Sequence, residues 1–375
     1  MRLARLAICW GSLGLCCLLT VPSLWAQSGV TVRVMAANLT SGNNQRYETP
    51  GLDILKGLKP DIVAIQEFNY ASASQGVNTP AAFREMVDAT FGANFVYFRE
   101  AADYAIPNGI VSRYPMLASG SWADSSLSDR GFAWARIDVP GTNDLFVVSV
   151  HLKASSGSGN VAQRAAEAAA LKGLIAANFP SSAWVIVAGD MNISSESEGV
   201  VATLGTFLSD RPIPADAKGD PDTNAGRSAR YDRVWTSFSM TNTFVPVAMP
   251  SFVYTNGLVF DSRVYTSLAD VPPVVLGDSG ASQMQHMAVV KDFRFPVTAT
   301  NLPALPPVLG CPALVGGQIR FLVTGSDGAV YIVQVSTNLG SLGWMPVRTN
   351  TAPFLFSEPG GASVRARFYR GLVAP

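Results

Sequence analysis

Residues 184 to 192 read WVIVAGDMN, and residues 145 to 153 read LFVVSVHLK. Neither shows the polar alternation of a strand with one wet face. Continuous apolar, β-branched runs of this length are strands buried on both faces. The sheet that holds them must therefore be covered on both sides. Both runs also stop on polar groups, His151 in one and Asp190 and Asn192 in the other. Strand ends open into loops, where reactive side chains can reach a ligand while the buried strand holds them still.

The same reading extends along the first 300 residues. VTVRVMAAN, DIVAIQE, NGIVSRYP, FAWARIDV, YDRVWTSF and MAVVKDF are short, β-branched or aromatic, and bounded by turn residues. GLDILKGL, PAAFREMVDATF and NVAQRAAEAAALKGLIAANF have helical spacing, and the last is rich in alanine, the best helix former. Strands and helices interleave, which predicts a layered α/β domain over residues 28 to 296. FPVTATNLPALPPVLGCPA (295 to 313) carries five prolines and little periodicity, so residues 297 to 313 read as a stiff linker. Residues 314 to 375 hold strand and turn patterns with no helix, which predicts a small β-sandwich.

The N-terminus begins with Arg2 and Arg5, continues with LAICWGSLGLCCLLTV, and reaches SLWA before Gln27. That is the layout of a secretory signal peptide over residues 1 to 26, cleaved near Ala26, with a secreted or periplasmic destination. Lipid attachment at Cys16 or Cys17 is the minor alternative. The apolar stretch is short for a membrane span, and the mature chain is expected to have none. Cys9, Cys16 and Cys17 leave with the leader, so Cys311 remains alone and no intrachain disulfide forms. The full chain has 27 basic and 27 acidic side chains; without Arg2 and Arg5 the balance is 25 − 27 = −2. Residues 297 to 375 contribute five Arg against Asp327 and Glu358, or +3, which leaves −5 on residues 28 to 296. A protein that grips nucleic acid through many phosphates is basic, so tight nucleic-acid binding is not expected.

Asn38, Glu67, His151, Asp190, Asn192, Asp232 and His286 all interrupt or flank apolar strands, and His151 and His286 are the chain's two histidines. Packing alone does not require such a constellation. DIVAIQE, GIVSRYP, VSVHLK, AGDMN and HMAVVKDF resemble, in order and spacing, motifs of the deoxyribonuclease I-like endonuclease/exonuclease/phosphatase family. GDMN matches that family's G-D-x-N pattern, and YDRVW is close to the deoxyribonuclease I form. The resemblance covers most of residues 30 to 295. It implies a four-layer α/β sandwich of two packed, mostly antiparallel sheets, and hydrolysis of phosphoesters with a divalent metal. STNL, W, NTAPF and RFYR near the C-terminus resemble Ig-like modules appended to secreted bacterial proteins. That part reads as a structural or attachment module for a surface or partner.

By this resemblance Glu67 is the main metal ligand, assisted by Asn38, with Mg²⁺ as cofactor and Mn²⁺ or Ca²⁺ as substitutes. His286 is the general base, since imidazole titrates near neutrality, and Asp232 orients it. Asp190 and Asn192 position the nucleophile and the phosphate, and His151 donates to a non-bridging oxygen. Asn108, Arg227 and Arg230 are candidate substrate contacts, although the two arginines could equally pair with loop acids. Tyr70, Trp122 and Phe132 are core aromatics or substrate walls.

Two departures matter. Most relatives carry an acid before the last histidine, where this chain has Gln285; Asp278 is a candidate substitute. The acid expected to pair with His151 is either Glu100 or Asp103. The sequence therefore predicts a secreted, divalent-metal-dependent phosphodiester hydrolase, nuclease-like by its motifs. The alternatives are a lipid or sugar-phosphate phosphodiesterase of the sphingomyelinase kind, and a catalytically dead binding member. The absence of an obvious aromatic or amphipathic hairpin argues against a membrane substrate.

Overall fold

The structure is a computed structural model that describes residues 29–296 apart from 102, and 306–374 apart from 311–312, 316, 327–328, 338–342 and 360–366. The expected signal peptide, most of the linker and Cys311 lie outside the described residues.

Two large sheets form the body of residues 29–296. The first is built on β1 (Gly29–Ala37), β2 (Ile62–Ile65), β3 (Val96–Arg99), β4 (Gly109–Ser112), β11 (Phe244–Val245), β12 (Leu258–Phe260) and β13 (Ala288–Pro296), in the order β11-β13-β1-β2-β4-β3, with β12 also on β13. The second runs β9-β10-β8-β7-β6-β5, from β5 (Met116–Ala123), β6 (Gly131–Ile137), β7 (Leu145–His151), β8 (Trp184–Asp190), β9 (Leu208–Ser209) and β10 (Asp232–Ser237). Each sheet has one parallel pair, β1 with β2 and β7 with β8; the other neighbours are antiparallel. The first strand of the body pairs with the last, from Gly29 opposite Pro296 to Ala36 opposite Val289.

Three apolar interfaces make four layers. Val34, Ala36, Ala64 and Ile110 of the first sheet meet Ala135, Val147, Ile186, Ala188 and Val234 of the second. The outer face of the first sheet packs on α1 (Thr49–Leu58) and α2 (Pro80–Thr90) through Ile54, Leu55, Leu58, Phe83 and Val87. The outer face of the second packs on α3 (Ser158–Asn178) and α4 (Gly199–Leu204) through Ala168, Leu171, Ile175, Val200 and Leu204. Every residue of β8 is buried, as its unbroken apolar run requires.

Local chemistry starts and stops the helices. Pro80 opens α2 behind Thr79, whose hydroxyl accepts from the Ala82 amide at 3.0 Å. α1 ends where Lys59 turns left-handed at φ 51°. α4 is short and was not apparent from periodicity; it packs on α3 and is held there by an ion pair at 2.8 Å between buried Arg164 and Glu198.

Among the described C-terminal residues, Gln318–Thr324 and Phe354–Pro359 belong to one small sheet, and Val330–Ser336, Met345–Thr351 and Phe368–Val373 to another. Phe321, Val323, Phe354 and Phe356 of the first face Tyr331 and Val333 of the second in one apolar core, which makes the expected small β-sandwich. Among the described residues, no helix is long and apolar enough to cross a membrane.

Candidate active site

The topology brings one end of both sheets together. β1 and β2 run parallel and deliver Asn38 and Glu67 just past their last residues. β7 and β8 also run parallel, with His151 opposite Asp190 in register. β10 runs the other way, so Asp232 at its start lies opposite Asp190. His286 precedes β13, whose first residues lie beside the end of β1. Six residues separated by up to 248 positions (286 − 38) in sequence thus meet at one edge of the sandwich.

Asp190 is the hub. Its Oδ2 lies 3.3 Å from His151 Nε2, 3.3 Å from His286 Nε2, and 3.2 Å from Asn38 Nδ2, which donates to it. Its Oδ1 accepts from the Asn192 amide at 2.9 Å. His286 Nδ1 pairs with Asp232 Oδ2 at 2.9 Å, and the same oxygen accepts from the Thr223 hydroxyl at 2.8 Å. All of these side chains are buried. Asn192 and Glu67 both sit at positive φ, 51° and 50°. Side chains other than glycine rarely adopt that conformation, and it recurs where a site fixes a side-chain direction.

Charge follows geometry. Burial pushes Asp190 up to about 6, partly opposed by the positive charge of His286. Burial alone would lower His286, but the charges of Asp232 and Asp190 and the Asp232 hydrogen bond outweigh it and raise the imidazole to about 10. His151 goes the other way. Burial, and then the nearby Arg130 and His286, hold it well below its usual value, so it is a neutral imidazole. With Nε2 facing a carboxylate and Nδ1 buried without a partner, its proton belongs on Nε2.

Several buried atoms in this cluster have no hydrogen-bond partner among the described residues: Asn38 Oδ1, Asp232 Oδ1 and His151 Nδ1. Glu67 engages one oxygen, Oε2, with the Thr40 hydroxyl at 2.5 Å. An orphaned amide oxygen beside a carboxylate is the hard-oxygen donor set of a divalent cation. Asp190, Asp232 and His286 form another group with ligand atoms within 4.8 Å of one another. There His286 Nε2, Asp190 and the free Asp232 Oδ1 offer donors while the 2.9 Å bond between His286 Nδ1 and Asp232 Oδ2 stays intact, so the cluster has two candidate donor sets.

Other expected site residues lie elsewhere. Arg227 is held by Asp216 at 2.7 Å, Asp220 at 3.1 Å and Asp261 at 3.4 Å. Arg230 is held by Asp210 at 2.8 Å and Glu196 at 2.9 Å. Both guanidiniums pair with carboxylates, the alternative that the sequence left open beside substrate contact. Asn108 is buried, donating Nδ2 to Gly131 O at 2.7 Å while its Oδ1 has no partner. Glu100 accepts from Asn108 N at 2.7 Å and the Ser121 hydroxyl at 2.6 Å, and Asp103 is exposed, so neither acid pairs with His151. Asp278 caps its own turn by accepting from Val275 N at 2.8 Å, and senses Asp53 on α1 instead of the histidines. Gln285 is exposed; its carbonyl accepts from Ala225 N at 2.7 Å, and its amide makes no hydrogen bond among the described residues.

Phe132 is buried, Trp122 stacks on Trp134 at 5.7 Å in the outer core, and Tyr70 packs on the helix-side core. Tyr231 is the aromatic ring at the site, with its centroid 6.1 Å from that of His286. Arg130 was missed in sequence. It is buried and donates from Nε to His151 O at 2.6 Å and from Nη2 to Leu152 O at 3.2 Å. One arginine between two turn segments gives no sequence signal for that task.

The sequence profile of the Endonuclease/Exonuclease/phosphatase family matches residues 52–273, more than half of the chain. The chain belongs to this family. Membership makes it a phosphoester hydrolase by class. Among solved structures, an endonuclease/exonuclease/phosphatase from Beutenbergia cavernae aligns over 91% of this chain and 100% of its own, at 16% identity and a TM-score of 0.48. A humanized D. rerio TDP2 aligns over 70% and 98%, at 17% identity and 0.44. A beta toxin from Staphylococcus aureus aligns over 69% and 99%, at 13% identity and 0.44. No curated protein matches the chain.

Proposed function

We propose that this family member hydrolyses phosphodiesters with a divalent cation, using His286 as general base. The observation that carries the reading is the His286–Asp232 pair at 2.9 Å, with both histidines presenting Nε2 to one oxygen of Asp190. Asp232 fixes the His286 ring and stabilises the imidazolium formed when the ring takes a proton from water. Asp190 and Asn192 position that water and the phosphate. Neutral His151 donates Nε2–H to a non-bridging oxygen, where charge grows in the transition state. Asn38 and Glu67 hold the cation, Mg²⁺ by preference and Mn²⁺ or Ca²⁺ in its place. The bound cation supplies positive charge that offsets the phosphate and favours the neutral form of His286 among its acids.

Nucleic acid is the first substrate, bound weakly because residues 28 to 296 carry a net −5. A lipid phosphodiester is the second reading. It is favoured by side chains that the sequence did not reveal as exposed: Phe252 at 43%, Val253 at 62%, Val275 at 58% and Leu276 at 61%. Export of the mature chain from residue 27 fits both substrates. The test is a panel of plasmid DNA, RNA, sphingomyelin vesicles and a phosphomonoester with Mg²⁺, Mn²⁺, Ca²⁺ or EDTA. EDTA-sensitive diester hydrolysis is expected. A folded protein with no metal-dependent hydrolysis of any diester would refute the reading.

A further inference from the structure

We infer that Gln66 is a positioning residue: its buried amide joins the strand that carries Glu67 to those that carry His151 and Asp190, and so sets the spacing between the two halves of the site. The inference rests on the site reading given above.

Ala36, Ala64, Ala188 and their apolar neighbours line the interface between the two sheets. Gln66 is fully buried there. Its Nε2 donates to Ser149 Oγ at 2.8 Å, and that hydroxyl donates back to Ile65 O at 2.9 Å. The pair thus bridges β2 of one sheet and β7 of the other. Gly189 of β8 completes the contact. It sits at φ +141°, and a Cβ there would meet Gln66 Nε2 at 2.7 Å and Val150 O at 2.1 Å. On the far side, the Tyr47 hydroxyl donates to Ala37 O at 2.6 Å and lies 3.3 Å from Gln66 O.

These contacts track the site. Ala37 precedes Asn38, Gln66 precedes Glu67, Gly189 precedes Asp190, and Ser149 is two residues before His151. The network is also not the arrangement that stability alone would choose. Gln66 Oε1 is buried with no partner, which costs free energy. A methionine of similar length would fill the same space without that cost. An amide kept at such a place is explained by what it holds in register, because small displacements of a reacting group lower rate steeply.

The test compares Gln66→Met, Ser149→Ala and Ser149→Thr with the intact protein. Three quantities are measured: kcat and KM on an activated phosphodiester at saturating Mn²⁺, Mn²⁺ binding by electron paramagnetic resonance without substrate, and thermal unfolding. Gln66→Met is expected to lower kcat about ten-fold or more with KM nearly unchanged, to weaken Mn²⁺ binding several-fold, and to leave the melting temperature unchanged or higher. Ser149→Thr, which keeps the hydroxyl, is expected to retain more kcat than Ser149→Ala. A folded Gln66→Met protein with kcat and Mn²⁺ binding within about two-fold of the parent overturns the inference, because that is the behaviour of a packing residue. An inactive parent whose Mn²⁺ binding still weakens in Gln66→Met would refute the proposed reaction and leave the strut standing. An active parent with an unaffected variant would refute the strut alone.

Discussion

Two kinds of charge cluster occur among the described residues, and they are built on opposite rules. Arg164 with Glu198, Arg227 with Asp216, Asp220 and Asp261, and the Arg230–Arg233 pair with Asp210 and Glu196 are cation–carboxylate sets in which each guanidinium is met by an acid. They join segments distant in sequence and have closed geometry. The cluster at Asp190 is the reverse. Three carboxylates, Glu67, Asp190 and Asp232, share space with two histidines, one of them neutral, and several polar atoms have no partner. A closed set is satisfied by the chain's own side chains, whereas the open one leaves polar atoms without partners among the described residues. Burial alone does not draw the contrast, because Arg164, Glu198, Arg230 and Asp210 are as buried as the open cluster, although Glu196 is exposed.

The largest effect is expected at the open cluster. His286→Ala and Asp190→Asn should each lower metal-stimulated diester hydrolysis by about 10²–10⁴-fold, with a melting temperature that holds or rises for Asp190→Asn because a buried, crowded carboxylate is removed. A loss of activity that tracks only loss of folded protein would contradict the distinction. The closed sets should respond in the opposite sense. Arg164→Met leaves Glu198 buried without its cation and should cost about 3–5 kcal/mol in urea unfolding, while kcat per folded molecule stays close to the parent.

Lys291 gives the stability a dependence on pH. It is a buried amine without a paired carboxylate among the described residues, donating Nζ to Asp210 O at 2.7 Å and Val234 O at 3.1 Å. Burial holds its ammonium down to about 7, against 10.5 when exposed. Between those values the unfolded chain binds a proton that the folded chain does not. Stability from this group therefore rises with pH across that window, by up to about 1.4 kcal/mol per unit. The unfolding free energy of the parent minus that of Lys291→Met should climb from pH 7 to 10 and stay flat below 7. The smallest effect belongs to Gln285→Asp. An exposed amide with no side-chain partner should tolerate the change within about two- to three-fold in rate, measured at saturating and at limiting Mg²⁺.

Much of the fold was legible because the signals are local. The unbroken apolar runs of β7 and β8 required cover on both faces, and α3 and α4 on one side with the first sheet on the other provide it. The alanine-rich stretch became α3 within two residues of its expected bounds. Strand-end residues were legible for the same reason, since a histidine or acid that stops an apolar run stands out. What the sequence hid depends on distant partners. Nothing near Arg227 or Arg230 announces that Asp261 and Asp210 will fold against them. Arg130 clasps the carbonyls of His151 and Leu152 from 21 and 22 residues away, and a carbonyl leaves no mark in composition. Gln66 was invisible in DIVAIQE because an amide next to a motif acid looks like ordinary polarity at a strand end. Only the second sheet, with Ser149 and Gly189, reveals what it touches.

The antiparallel pairing of Gly29 with Pro296 has a practical side. The chain enters and leaves the four-layer body through adjacent doors. β1 then runs from Gly29 to Asn38, about 30 Å at strand rise, before it reaches the reactive edge. Anything tethered before residue 29 or after residue 296 starts from the back of the body, a full strand length from the chemistry. The two ends could be tied to each other and the ring reopened at the exposed residues 142–143 without drawing either tether across the edge that carries the Asp190 cluster.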